Sequence, residues 1–214
     1  TFYVCPRKQH EIEMMTSDEI SSLRERHEIG AHTLRHSKLT QISNLEAKEE
    51  IEASKVWIEH ITGAPCKMFC YPYGDWNEEI TSLVEAAGFL GARTTEPLQF
   101  DIKKQYSMPT TLQVSPFPKR KTWSRWWHPL DLYGPLRVKR KKLKQLGLSP
   151  KNQKSWLELA TNLFDLGRQS DKPVFHLWGH SHEIEKYNMW EDLEKFFAHV
   201  QKSNVECVVN SQAL

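Results

Sequence analysis

The sequence predicts an α/β fold built on a parallel sheet or barrel. Two observations carry that expectation. Short apolar runs alternate with helical patterns along the whole chain. Three polar clusters, residues 32–36, 71–74 and 179–183, each follow directly on one of those runs. In α/β barrels the C-terminal strand ends share one face, so clusters placed there are expected to converge. The 214 residues suit a single domain, 1–214, and 39% hydrophobic with 26% charged residues is the balance of a chain with a packed core. No run approaches about 18 apolar residues, so no transmembrane helix is expected.

The elements follow in order. Residues 2–5 read as a strand, and Thr16-Ser17-Asp18-Glu19 is a capping box opening a helix to about Arg26. Residues 28–31 are the next strand. Ser43-Asn44-Leu45-Glu46 is a second capping box, after which Ala47, Ile51, Ser54, Ile58 and Ile61 recur at helical spacing until Gly63. Residues 67–70 are a strand, 77–87 a helix ended by Gly88, 89–93 a strand and 108–114 another. A loop and helix interrupted by Pro129, Pro135 and Pro150 come next, then a helix at 153–166, a strand at 174–178, a helix at 189–202 and a last strand at 205–209.

The net charge of +2 hides an asymmetry. Ten Lys or Arg and one acid, Asp131, lie between 119 and 144, which puts +9 there and −7 on the rest. Trp123, Trp126 and Trp127 interrupt the basic run. The segment is expected to be an excursion with its Lys and Arg in solvent, because buried unpaired charge is costly. It could also hold an anionic or glycan partner, or lie on a membrane surface. No specific nucleic-acid motif is present. Four cysteines, Cys5, Cys66, Cys70 and Cys207, are too few for a disulfide scaffold and read as free buried thiols of a reducing compartment. A cytoplasmic location is therefore expected. The chain opens on Thr1 without a Met, so the natural polypeptide is expected to begin upstream, where an export signal could lie.

His32-x-x-x-His36 would project both imidazoles to one side if the backbone turned helical after its strand, and the pair could then share one metal at about 2.0–2.1 Å per bond. Two exposed or core-packed histidines are the plainer alternative. Tyr71-Pro72-Tyr73-Gly74 is a turn that could leave a backbone N–H aimed at a developing oxyanion. His180, two residues after Trp178, could be a general acid near neutral pH or a histidine bonded to its own loop.

Glu28-Ile29-Gly30-Ala31-His32-Thr33-x-x-His36-Ser37-x-Leu39-Thr40 resembles the metal-binding motif of polysaccharide deacetylases, carbohydrate esterase family four with its NodB-homology domain. Phe69-Cys70-Tyr71-Pro72-Tyr73-Gly74 is similar to the family's third motif, and Phe175-His176-Leu177-Trp178-Gly179-His180 to its last. The resemblance runs over essentially the whole chain. It implies a deformed (β/α) barrel of seven to eight parallel strands, incomplete at the N-terminus. It also implies metal-dependent removal of an acetyl group from an acetylated amino sugar or glycoconjugate. By the same resemblance His32 and His36 bind a divalent metal, zinc or alternatively cobalt. The Tyr73 N–H stabilises the oxyanion, His180 protonates the departing amine, and Tyr71, Pro72 and Trp178 contact substrate.

Four departures stand out. The family's Thr-Phe-Asp-Asp motif, source of the base and third metal ligand, is absent, since Thr1-Phe2 leads to Tyr3 and Val4. Cys70 replaces an arginine and Trp178 a small pocket leucine, and the fourth motif has only Asp131 and the tryptophan cluster as candidates. Two other readings stay open: a non-catalytic glycan-binding or scaffold domain of the same fold, and a hydrolase of a non-sugar amide.

Overall fold

The computed structural model of the chain describes residues 1–6, 14–121, 132–170 and 173–214. They form two compact units. One comprises Thr1–Glu96, Ile102–Pro109 and Cys207–Leu214, the other Pro97–Asp101 and Thr110–Glu206.

The first unit is a four-stranded parallel sheet with helical crossovers. Strands β1 (Phe2–Val4), β2 (Ile29–Ala31), β3 (Met68–Cys70) and β4 (Gly91–Arg93) lie side by side in chain order. Helices α1 (Ser17–Arg24), α2 (Asn44–Thr62) and α3 (Glu78–Ala86) connect them. Both expected capping boxes form: Thr16 with Glu19, and Ser43 with Glu46. Gly63 closes α2 in the left-handed conformation, φ 61°. One face of the sheet sends Val4, Ile29, Ala31, Phe69 and Ala92 into a core with Ile20, Ile51, Ile58, Ile80 and Val84 from the helices. Each such buried aliphatic side chain contributes about 1.5–3 kcal/mol. The alternate positions, among them Tyr3, Gly30, Cys70 and Arg93, point to the opposite face. A Cβ on Gly30 would sit 2.5 Å from the Tyr3 ring, so the tyrosine crosses the sheet only because its neighbour has no side chain.

That opposite face holds a polar knot. The Arg93 guanidinium donates to Asn210 Oδ1 at 3.2 and 2.8 Å and to the Pro109 carbonyl at 2.6 Å. Asn210 Nδ2 donates to the Tyr3 hydroxyl at 3.0 Å, and its backbone N–H to Thr1 Oγ1 at 2.9 Å. Burial pulls the Arg93 pKa down and pushes that of Tyr3 well up. The expected strand at 205–209 is therefore replaced. The segment forms no strand, Val205 and Val208 are exposed, and the chain ends in a 3-10 turn, Asn210–Gln212, held by side-chain bonds. An apolar run becomes a strand only where ladder partners satisfy its backbone.

In the second unit β5 (Leu112–Gln113) and β6 (Leu177–Trp178) pair in parallel. The strand expected over 108–114 shrinks to two residues, because Pro109 offers no N–H to a ladder. Helices α4 (Gly134–Gln145), α5 (Trp156–Gln169), α6 (Ser181–Lys186) and α7 (Trp190–Gln201) complete the unit. Leu112, Leu143, Trp156, Leu159, Leu163, Phe164 and Phe196 form its core. Trp156 and Phe164 meet Phe196 at 5.9 Å each, and the Trp156 indole donates to the Gln113 carbonyl at 2.8 Å. Helix α6 was not expected from the sequence.

Within the basic segment every described Lys and Arg is exposed or half-buried, and none is buried. Trp123, Trp126, Trp127 and Asp131 lie outside the described residues. Among the described residues no helix is long and apolar enough to cross a membrane. The cysteines are free, as expected, but Cys207 is exposed and Cys70 half-buried. Burial pushes the Cys66 and Cys70 thiols up to about 12.

Candidate functional site

In a parallel sheet the loops leaving the C-terminal strand ends are neighbours, and ligand sites collect there. The loops after β2 and β3 carry the first two clusters. After Ala31 the backbone does not turn helical. Thr33 and His36 adopt φ 62° and 56°, both left-handed, at a cost of about 1–2 kcal/mol each. What brings the imidazoles together is this irregular loop and not a helical i,i+4 face. Their ring centroids lie 4.7 Å apart, inclined at 71°.

The strained loop is held from α2. Glu50, 3% exposed, accepts from the backbone N–H groups of Leu34 at 3.0 Å and Arg35 at 2.9 Å, and pairs with Arg35 Nε at 3.2 Å. His32 Nδ1 lies 2.7 Å from the Cys70 carbonyl. A carbonyl only accepts, so Nδ1 carries the proton and the neutral ring has its lone pair on Nε2. A histidine fixed in this way is oriented for a metal.

The second cluster is a 3-10 turn, Pro72–Gly74, entered from Tyr71, whose N–H donates to the Arg93 carbonyl at 3.0 Å. Tyr73 stands at φ 60°, ψ 5° and Gly74 at φ 69°. The turn uses the N–H groups of Gly74 and Asp75, which donate to the carbonyls of Tyr71 and Pro72. The Tyr73 N–H takes part in no hydrogen bond among the described residues. Its ring is 62% exposed and lies edge-on to His36 at 4.6 Å. Asp75 ties the two loops together by accepting from Thr40 N at 3.0 Å and Thr40 Oγ1 at 2.7 Å. Tyr71, expected to touch substrate, lies wholly inside the core instead, with its hydroxyl donated to the Tyr106 carbonyl at 2.8 Å. Pro72 is buried as well.

The third cluster belongs to the second unit. His180 caps α6 at the end of β6, and its Nδ1 meets Glu183 Oε2 at 2.8 Å. Trp178 stands edge-on to His180 at 5.4 Å, and His182 stacks on His180 at 5.3 Å. Gln113 Nε2 donates to the same Glu183 oxygen at 3.4 Å.

Residues 1–92 match the polysaccharide deacetylase family. The resemblance read from the motifs thus holds for the region that contains His32, His36, Cys70 and Tyr73, while Trp178 and His180 fall outside it. The solved structures that match the chain include a Mycobacterium smegmatis protein assigned as a polysaccharide deacetylase, at 15% identity and TM-score 0.50, over 86% of this chain and 60% of that one. Two others are BC0361, a polysaccharide deacetylase from Bacillus cereus, and the Streptococcus pyogenes deacetylase PplD in complex with acetate. They are 24% and 16% identical, with TM-scores of 0.42 and 0.44; each alignment covers 48% of this chain, and 33% and 46% of theirs. The chain therefore spans a third to three-fifths of the length of these proteins. The M. smegmatis likeness speaks to the fold: α/β with parallel strands. A search of curated protein sequences gave no match.

Two residues that organise the deacetylase-matching region escaped the sequence reading. Glu50 left a signal, a carboxylate on the stripe marked by Ala47, Ile51 and Ser54, where only a buried acid with partners is tolerated. Asp75 left none, since an Asp after a Gly in a turn is ordinary. Gly74 is the third support. A Cβ there would lie 2.2 Å from Thr95 Oγ1, on a backbone at φ 69°. Gly74→Ala is expected to lower stability by about 1–3 kcal/mol, read as a fall in the urea midpoint. An unchanged midpoint would mean that the turn relaxes without cost.

Proposed function

We propose that the chain is a metal-dependent hydrolase that removes an acetyl group from an acetylated amino sugar or glycoconjugate. The observation that carries this reading is the His32–His36 pair, with the His32 tautomer set by the Cys70 carbonyl. Two imidazoles, one already oriented, are a donor set suited to zinc or cobalt. Among the described residues no further His, Cys, Asp or Glu joins them in a three-donor group. A metal held there would polarise the acetyl carbonyl and lower the pKa of a bound water.

The remaining roles fall to the chain's own residues. The Tyr73 N–H, aimed by its left-handed backbone, would donate to the oxyanion that forms at the attacked carbonyl. The neighbouring exposed Tyr73 ring offers a face for a sugar to rest on. His180 is assigned as proton donor to the departing amine, on the strength of the motif it ends, with Trp178 as a substrate contact. The absence of the Thr-Phe-Asp-Asp motif from these 214 residues favours the non-catalytic alternative, a glycan-binding domain of the same fold.

Acetate release separates the two readings. With zinc supplied, the protein is expected to release acetate from N-acetylglucosamine oligomers, and chelation is expected to stop it. Binding of oligomers without any acetate would leave the binding domain. His180→Ala, assayed at one zinc per chain, is expected to lower kcat about 10²–10⁴-fold; an unchanged kcat would remove His180 from the reaction.

A further inference from the structure

We propose that His180, His182 and Glu183 form a divalent-cation site of their own, with zinc as the best-matched ion. Each offers one ligand atom, and these atoms all lie within 4.8 Å of one another. Two imidazole nitrogens and a carboxylate oxygen, with one position left for water, make a donor set that zinc accepts in tetrahedral geometry. Bonds of about 2.0–2.1 Å place tetrahedral donors about 3.3 Å apart. The three side chains therefore need movements on the order of 1 Å, which rotations of exposed groups supply. His180 is 46% exposed at its side chain and Glu183 31%, so an ion can arrive with its water shell.

Local structure favours the grouping. The His180 and His182 rings are already stacked on one side of the first turn of α6. Glu183 is aimed back at His180, 2.8 Å from Nδ1, and the Gln113 amide steadies the same oxygen from β5. This site shares no residue with the His32–His36 pair. Its consequence for turnover rests on the reading of His180 as proton donor. An ion there takes the imidazole out of proton transfer, so zinc bound at this site acts as an inhibitor.

Equilibrium dialysis of the full chain against zinc tests the site without reference to activity. Wild-type protein is expected to bind one equivalent that His182→Ala and Glu183→Gln both lose, or bind about 100-fold more weakly. Both substitutions fall at solvent-accessible positions, and circular dichroism checks that the variants remain folded. Variants that bind zinc as tightly and in the same amount as wild type overturn the proposal. Turnover gives the second readout: excess zinc is expected to depress acetate release about tenfold or more in wild type and to leave His182→Ala unaffected. If dialysis shows the lost equivalent while turnover ignores excess zinc, the cation site stands and the role of His180 as proton donor falls.

Discussion

On the reading proposed above, His32→Ala is expected to lower kcat/KM for acetate release by about 10³-fold or more and to cost the protein one of its zinc equivalents. Lewis-acid stabilisation of the developing charge contributes several kcal/mol, and each 1.36 kcal/mol is a factor of ten. The effect exceeds that of a lost ligand alone, because His32 also bridges two strands. Its Nδ1–H reaches from the end of β2 to the Cys70 carbonyl at the end of β3, so one side chain both offers a donor and fixes the spacing of the two loops. His36, which has the Tyr73 ring on its other side, should lose its orientation in the variant. Metal content by mass spectrometry and steady-state kinetics form the check. A His32→Ala protein that binds as many zinc equivalents as wild type and keeps wild-type turnover would show that the pair is structural.

Glu50→Ala is expected to lower the melting temperature by on the order of 5–15 °C. Its carboxylate is buried yet well partnered, with two backbone N–H groups and Arg35 Nε around it. Removing it leaves those donors without an acceptor and opens a cavity beneath a loop that holds two left-handed residues. Losses of this kind amount to about 2–4 kcal/mol, and 1 kcal/mol shifts a chain of this length by about 2–4 °C. Zinc affinity should fall with it, by about 10–100-fold, since Glu50 acts through the loop that presents both histidines. Glu50→Gln, which keeps one acceptor oxygen, should fall between the two. Thermal unfolding followed by circular dichroism reads the first effect and zinc competition the second. A variant with unchanged melting and unchanged affinity would mean that the loop is held by the sheet alone.

Local signals in the sequence were the most faithful. The two capping boxes, Gly63 as a helix stop and the four strands of the first sheet follow from side chains that act on their immediate neighbours. The closeness of His32 and His36 was also legible, but its cause was not. Spacing alone suggested a helical turn, whereas the structure uses two left-handed residues whose strain Glu50 offsets from 14 positions beyond His36. Tyr71 shows the same limit from the other side. Its place in a motif marked it as a substrate contact, while its burial and its bond to Tyr106 follow from tertiary packing that no window of sequence contains. Helix α6 was hidden because its six residues, Ser-His-Glu-Ile-Glu-Lys, bring only one side chain, Ile184, into the core. Residues 205–209 failed in the opposite sense: they have the alternation of a strand and no ladder to join.

The knot around Arg93 has a consequence for the order in which this protein is made. Arg93 and Asn210 are 117 residues apart, and the asparagine amide accepts two of the three hydrogen bonds from the guanidinium. At about 5–20 residues per second, a ribosome adds Asn210 about 6–23 s after Arg93. Throughout that interval the four strands of the first sheet can assemble, but the guanidinium on their open face lacks the Asn210 oxygen that accepts two of its hydrogen bonds. The sheet therefore waits on the ribosome for its last polar contact, and in a nascent chain arrested before Asn210 that face stays exposed to whatever chaperone attends it.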